Sequence, residues 1–173
     1  MIDVGVCITQ GAAPHGQTKL GRGTSTIAQA GCLLSSLTMA ARALTHRLDL
    51  GILDAQMLID AHDGFAGSGL IVDRAARALG LDEVERGAFD LDEVRADIFA
   101  GHPVIVGIDF VPGHSSGFSS ADHFVLAVAI DEDTLYIADP AYGHVAPIAT
   151  KGTLYHTHNA SLVEQIRLTA RAI

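Results

Sequence analysis

The chain has 173 residues, 49% of them hydrophobic, with a formal net charge of −9 and a pI near 5.3. This length and apolar content predict a single globular domain over residues 1–173, whereas the acidic balance and the lack of any basic run disfavour a nucleic-acid partner. No apolar stretch is long enough to span a membrane. The N-terminus lacks a basic region followed by a long apolar stretch, so no secretory signal is expected and the localisation stays open.

The first part of the chain is predicted to be mainly helical. A short β-like run over 2–8 precedes a loop over 10–26 that is rich in Gly, Thr, Ser and Pro. Apolar spacing and glycine stops predict helices over 28–44, 53–61, 70–79 and 90–99. Asp90 is the expected N-cap of the last helix, with Glu93 at the spacing of a capping box.

The second part of the chain is predicted to be rich in β-structure. Apolar runs predict strands over 103–110, 123–130, 135–138 and 145–150. A Gly- and Ser-rich loop over 111–121 follows the first strand, a turn over 131–133 joins the next two, and the tail over 162–173 fits a helix or a strand. Helices that precede a set of hairpin strands predict an α+β fold.

Cys32 lies near the start of the predicted helix over 28–44, with Ser25 and Thr26 as possible N-caps. The positive end of a helix dipole favours a thiolate over a thiol, so a cysteine in the first turn is a candidate nucleophile. The alternative is a small core residue, because free cysteine is often buried. Cys7 is expected to pack within the β-like run. Two free thiols are expected rather than a disulfide, and without a CxxC pair a thiolate zinc site is not.

His123 and Asp139 stand at the start and the end of two neighbouring predicted strands. A thiol nucleophile needs a base and a group that orients the base. If the turn covers 131–133, Asp139 falls opposite Val125 and shares a face of the sheet with His123, whereas a slip of one residue moves it to the other face. Taken singly, the histidine could be a satisfied edge residue and the aspartate a turn former.

Three motifs together resemble the papain-like cysteine peptidases: QAGC at 29–32, DHFV at 122–125 and LYIADP at 135–140. The resemblance spans about residues 8–140. It is closest to the bacterial double-glycine leader peptidases and their stand-alone relatives, some of which are parts of phage and bacterial cell-wall hydrolases. It implies a helical lobe that carries the cysteine helix and packs on an antiparallel sheet. Leu33 follows the cysteine where leader peptidases usually have glycine, and the chain has no tryptophan.

The resemblance also implies an oxyanion-hole glutamine upstream of the nucleophile, acting beside the backbone N–H of Cys32. Gln10 fits best, since it precedes a loop that ends in Lys-Leu-Gly at 19–21. Gln17 is the second choice, and Gln29 is too near the cysteine. The expected enzyme is a thiol peptidase or amidase that needs no cofactor, with Cys32, His123, Asp139 and Gln10 as catalytic residues. The implied partner is a peptide, from the cell wall or from a leader sequence.

Other readings remain open at this point. His156 and His158 alternate and could chelate a metal, but no third ligand is placed by the sequence. His114, Ser115 and Ser116 could border a cleft, although a serine nucleophile is disfavoured without a Gly-x-Ser-x-Gly elbow. The contrasting functions are a catalytically silent domain that acts as a binding module, and a transglutaminase-like acyl-transfer enzyme.

Overall fold

The computed structural model describes residues 1–110, 121–150, 154–155, 158–159 and 161–171. The helices are a 3₁₀ turn at His15–Gln17, then α1 (Ile27–Ala30), α2 (Cys32–Thr45), α3 (Ile52–Ala61), α4 (Val72–Ala78) and α5 (Leu91–Phe99). The strands are β1 (Phe65–Ala66), β2 (Gly69–Leu70), β3 (Leu81–Ala88), β4 (Val104–Asp109), β5 (His123–Asp131), β6 (Thr134–Asp139), β7 (His144–Ala149), β8 (Leu154–Tyr155), β9 (His158–Asn159) and β10 (Ser161–Ala170). None of the described helices is both long and apolar enough to cross a bilayer.

Six strands form the main sheet, in the order β3-β10-β4-β5-β6-β7, and every neighbouring pair is antiparallel. Apolar side chains are buried on both faces of this sheet. On one face, Leu34 and Leu37 of α2 pack with Phe124 and Leu126 of β5 in one core cluster. On the other face, α5 supplies Val94 to a second cluster. The predicted α+β class is confirmed, and α5 is the helix that lies apart from the other helices.

The ambiguous tail is a strand, β10, and it lies between β3 and β4. Its outer neighbour β3 was not predicted, because LDEVERGA is highly charged and lacks a clear apolar alternation. Cross-strand ion pairs of Arg86 with Glu164 and of Arg167 with Glu85 replace apolar contacts on part of this pair. Opposite charges on neighbouring strands stabilise such pairing modestly.

The strand predicted over 2–8 is wrong. The segment bends at Gly5, whose φ of 68° lies in the left-handed region that interrupts extended backbone. It is nevertheless held to the sheet, because the Ile2 N–H donates to the Val128 carbonyl of β5 at 2.8 Å. The segment therefore lines the sheet without joining it as a strand.

The helix ends show two further differences from prediction. The helix predicted over 28–44 is divided at Gly31, which ends α1 and precedes α2. Asp90 caps α5 as expected and accepts from the N–H groups of Asp92 and Glu93. The Asp90 N–H, however, donates to the Gln165 side chain of β10 at 2.9 Å, so Glu93 does not complete the capping box.

Candidate active site

Cys32 is the first residue of α2 and is half-buried. The short helix α1 begins with a capping box between Thr26 and Gln29, and Gly31 then turns the chain into α2. A Cβ on Gly31 would lie 2.4 Å from the Ile27 carbonyl oxygen, so only glycine fits the turn before the cysteine. The predicted place of Cys32 in the first turn of a helix is therefore observed, with the helix starting at the cysteine itself.

α2 is fixed to β5 beside the thiol. One turn after Cys32, the buried Ser36 hydroxyl donates to the carbonyl of Phe124 at 3.2 Å. Phe124 is the residue next to His123, so this hydrogen bond ties the cysteine helix to the strand that carries the histidine. The Cys32 side chain in turn interacts with the His123 imidazole and helps to raise its pKa.

His123 and Asp139 meet because of a β-bulge. The turn between β5 and β6 has two residues, since Asp131 pairs with Thr134. Continued without interruption, that register would set Asp139 opposite Leu126, on the face away from His123. The register shifts between Ala127 and Ala129, so Val128 is an extra residue and Leu126 pairs with Ala138. Asp139 then falls opposite Val125, as predicted, although by a different route.

The Asp139 carboxylate hydrogen-bonds to the imidazole, with 3.0 Å between Oδ1 and His123 Nε2. Asp139 is fully buried, and its Oδ1 also accepts from the Ala141 N–H at 2.9 Å. Its backbone carbonyl accepts from the Gly143 N–H at 2.8 Å. These bonds hold the Asp139 carboxylate in place, and the carboxylate in turn orients the His123 imidazole. Because Nε2 bonds to Asp139, Nδ1 is the ring nitrogen available to the Cys32 thiol.

The surroundings of His123 favour its protonated form. Burial of the imidazole alone would lower its pKa, but the hydrogen bonds with Asp139 and Cys32 and the charges of both partners outweigh it and raise the pKa from 6.5 to about 9. The ring of Phe110 stacks on the imidazole, with centroids 6.3 Å apart and an interplanar angle of 21°. An aromatic face attracts a cation and shields it from water.

Gln10 hydrogen-bonds both to the residue that follows Asp139 and to the short helix that precedes Cys32. Its backbone N–H donates to the Pro140 carbonyl at 2.8 Å, and its side-chain Nε2 donates to the Ala28 carbonyl at 2.9 Å. Among the described residues, its buried Oε1 has no hydrogen-bond partner. Gln10 thus joins the residue after Asp139 to the turn before Cys32.

The other two glutamines are placed differently. Gln29 uses its Oε1 to accept from the Thr26 N–H at 2.9 Å, as part of the α1 cap. Gln17 is exposed at the end of the 3₁₀ turn. Of the three candidate glutamines, only Gln10 is observed to bond both to the residue after Asp139 and to the helix before Cys32.

Cys7 contacts the same aspartate from its backbone side. The Cys7 thiol lies 3.9 Å from the Asp139 carbonyl oxygen and packs at the edge of the first core cluster. Burial raises the pKa of the Cys7 thiol to about 11, and the negative charge of Asp139 adds to the increase. Both cysteines are free thiols, but Cys7 is held in its neutral form.

A cleft of about 380 Å³ opens beside Cys32. Its wall is mostly apolar and includes Leu20, Leu33, Leu70 and Phe124, with Arg86 as its charged residue. The β1–β2 hairpin contributes Ser68 and Gly69 to the rim. This hairpin was not predicted, although a Gly-Ser-Gly turn between apolar residues at 65–70 is a signal that indicates one.

Several predicted residues fall outside the description. His114, Ser115, Ser116 and His156 lie outside the described residues, and only the backbone of His158 is described. Within the described ranges, no three His, Cys, Asp or Glu side chains come together as a metal site would need.

Comparison with known proteins adds two findings. A model of the Peptidase_C39 like family matches residues 10–156 of the chain. Among solved structures, the fold is similar to that of a Bacillus anthracis protein described as a C39-like peptidase, with a TM-score of 0.56 and 14% sequence identity over 99% of this chain and 98% of that chain. At this identity the likeness concerns the fold. No curated protein sequence matches the chain significantly.

Proposed function

The chain belongs to the Peptidase_C39 like family, a branch of the papain-like cysteine peptidases, and from that premise we propose that it hydrolyses peptide or amide bonds with a Cys32–His123–Asp139 triad. The observation that carries this proposal is that the His123 imidazole hydrogen-bonds to the buried Asp139 carboxylate at 3.0 Å and lies close enough to Cys32 for the thiol to help raise its pKa. Nucleophile, base and orienting group are the three parts that thiol catalysis requires.

The proposed reaction starts from a thiolate–imidazolium pair. A His123 pKa of about 9 keeps the imidazole protonated at neutral pH, so the thiol proton can reside on Nδ1 while Asp139 holds Nε2. The Cys32 sulfur attacks the peptide carbonyl carbon and forms a C–S bond. His123 then gives its proton to the leaving amine nitrogen as the C–N bond breaks. Water, deprotonated by His123, hydrolyses the thioester and restores the thiol.

The developing oxyanion is assigned to Gln10 and to the backbone N–H of Cys32. One N–H of the Gln10 amide bonds to the Ala28 carbonyl, which orients the group and leaves its second N–H as a donor. The Cys32 N–H belongs to the first turn of α2, where the helix dipole stabilises negative charge. Both donors would act on the oxygen that gains charge in the transition state.

The substrate is proposed to be a peptide that places an apolar or small side chain against Leu33 and Leu70 in the cleft. The mostly apolar cleft of about 380 Å³ is large enough to hold a side chain of this kind. Cell-wall peptides and leader peptides cut after small residues are the two substrate classes to test.

The experiment is alkylation of the native protein by iodoacetamide between about pH 4 and pH 9, with each cysteine followed by mass spectrometry. We expect Cys32 to react rapidly well below the usual thiol pKa of about 8.5, and His123→Ala to slow the reaction. Cys7 is an internal control, because its pKa is raised to about 11. Equal rates at the two cysteines would overturn the proposal and favour a binding module.

Hydrolysis of wall and leader peptides is then measured with the wild type and Cys32→Ala. Release of free acid products supports hydrolysis. Products that carry an added amine would instead indicate acyl transfer, which uses the same triad and differs only in the group that attacks the thioester.

A further inference from the structure

A second and larger cavity, of about 730 Å³, lies away from the proposed triad. It is formed where α2 and α4 end, so its residues follow the last turns of these helices. α2 has 14 residues, and at about 1.5 Å per residue it sets the cavity roughly 20 Å from Cys32. Three of its lining residues are arginines: Arg47, Arg77 and Arg171.

Three arginines on this cavity differ from the others in the chain. Elsewhere in the described residues, arginines bond to a carboxylate or a carbonyl: Arg22, Arg42, Arg74, Arg86, Arg95 and Arg167. Among the described residues, the side chains of Arg47, Arg77 and Arg171 make no such bond, although the Arg171 backbone N–H donates to the Gly80 carbonyl at 2.9 Å. The protein has a net charge of −9, so acidic groups are plentiful, yet three arginines line one cavity without an acidic or carbonyl partner for their side chains.

Helix ends explain how the protein tolerates this cluster. The carbonyl ends of α2 and α4 carry partial negative charge, which stabilises nearby cations. The dipoles do not occupy the guanidinium N–H groups, which are spaced to bind a carboxylate or phosphate through two parallel hydrogen bonds. The cavity therefore offers a region of positive potential with unused directional donors.

Apart from Thr45 and His46, the remaining wall of the cavity is apolar. Leu44, Leu58, Ala78 and Leu79 line it, and its volume lies in the range of about 300–1,000 Å³ typical of small-molecule sites. We propose that this cavity binds a small amphiphilic anion, in which a carboxylate or phosphate group meets the three arginines and an apolar tail packs on the leucines. Arginines alone would suit any anion, whereas the apolar wall selects one with a tail.

The test is isothermal titration calorimetry with decanoate and with decyl phosphate, each below its micelle concentration. Binding of either supports the proposal, and the ratio of the two affinities identifies the preferred head group. Inorganic phosphate tests the need for the tail, and decyltrimethylammonium tests the need for negative charge. Phosphate that binds as tightly as decyl phosphate, or a cation that binds as tightly as the anions, would overturn the proposal, as would no binding of either anion.

Variants locate the site. We expect Arg77→Gln and Arg47→Gln each to weaken binding about tenfold or more, because each removes a charge-assisted hydrogen bond. Arg74→Gln is the matched control: it is on the same helix as Arg77 but bonds to the Asp63 carbonyl outside the cavity. An equal loss in Arg74→Gln would overturn the assignment. Because Arg77 is in a helix and Arg47 follows one, thermal unfolding of both variants separates lost binding from lost fold.

Discussion

Cys7 and Cys32 both lie near Asp139, but on its backbone side and its side-chain side respectively, and the two thiols have different expected chemistry. Cys32 is joined to the Asp139 carboxylate through the His123 ring. Cys7 faces the Asp139 backbone carbonyl, without an imidazole between them. Burial and the nearby negative charge raise the pKa of Cys7 to about 11. A carboxylate near a thiol therefore has opposite effects in the two places. With the His123 imidazolium between them, Asp139 favours the Cys32 thiolate, whereas without a cation between them it opposes the Cys7 thiolate.

The largest expected effect comes from exchanging sulfur for oxygen at each thiol. Cys32→Ser should lower peptide hydrolysis on the order of 10⁴-fold, because removing a triad nucleophile leaves only residual catalysis. Cys7→Ser should leave the rate within about twofold, as expected for a residue outside the reacting set. Steady-state kinetics on one peptide substrate measures both. A large loss of hydrolysis in Cys7→Ser with an unchanged melting temperature would show that Cys7, rather than Cys32, is the reactive thiol.

The next effect concerns the oxyanion donor. Gln10→Ala should reduce kcat on the order of 10²-fold with little change in KM, since the lost hydrogen bond acts mainly in the transition state. Gln29→Ala is the control: it removes the α1 capping bond to Thr26 and should affect stability by about 1 kcal/mol rather than kcat. If the two variants lose activity equally, Gln10 acts through the local structure.

A smaller effect is expected at the orienting group. Asp139→Asn keeps an oxygen for the imidazole but removes the charge that helps to protonate it, so alkylation of Cys32 below neutral pH should slow by about tenfold. Alkylation of Cys7 should not slow, because loss of the Asp139 charge removes one of the causes that raise the pKa of its thiol. Rates read at each cysteine in the same sample test this prediction. A parallel loss at both cysteines would indicate a general change in the fold.

The smallest effect is on stability against pH. The pKa of His123 is raised in the folded chain from 6.5 to about 9. The imidazolium therefore contributes stability fully below about pH 6.5, and this contribution is lost as the pH rises through about 9. The wild type should lose melting temperature across that window by more than His123→Gln does. Parallel pH profiles for the two proteins would contradict the raised pKa.

The proposed site could be assembled from the sequence largely because its parts stand at the ends of apolar runs. The strands around His123 and Asp139 are strongly apolar and were predicted within one residue. The Val128 bulge was not, because the apolar run that contains it has no alternation to fix a register. A three-residue turn and a two-residue turn followed by a bulge place Asp139 at the same position, so the sequence alone could not distinguish them.

Features that depend on distant partners were the ones missed. β3 is stabilised by β10, which lies far from it along the chain. Charged pairs such as Arg86–Glu164 take part in the pairing. Local propensity carries no information about such a partner. Gly31 likewise fits an uninterrupted helix pattern, and only its close approach to the Ile27 carbonyl shows that the helix must break there.

The position of β10 inside the sheet has a consequence for biosynthesis. Among the strands that the structure describes, β3 pairs with β10 alone, so the pairing of β3 waits until residues 161–170 have left the ribosome. At translation rates of about 5–20 residues per second, β3 is exposed for several seconds before its partner is available. The charges along β3 limit edge-to-edge association during that interval. The described sheet is complete only when β10 inserts between β3 and β4, which are both made earlier.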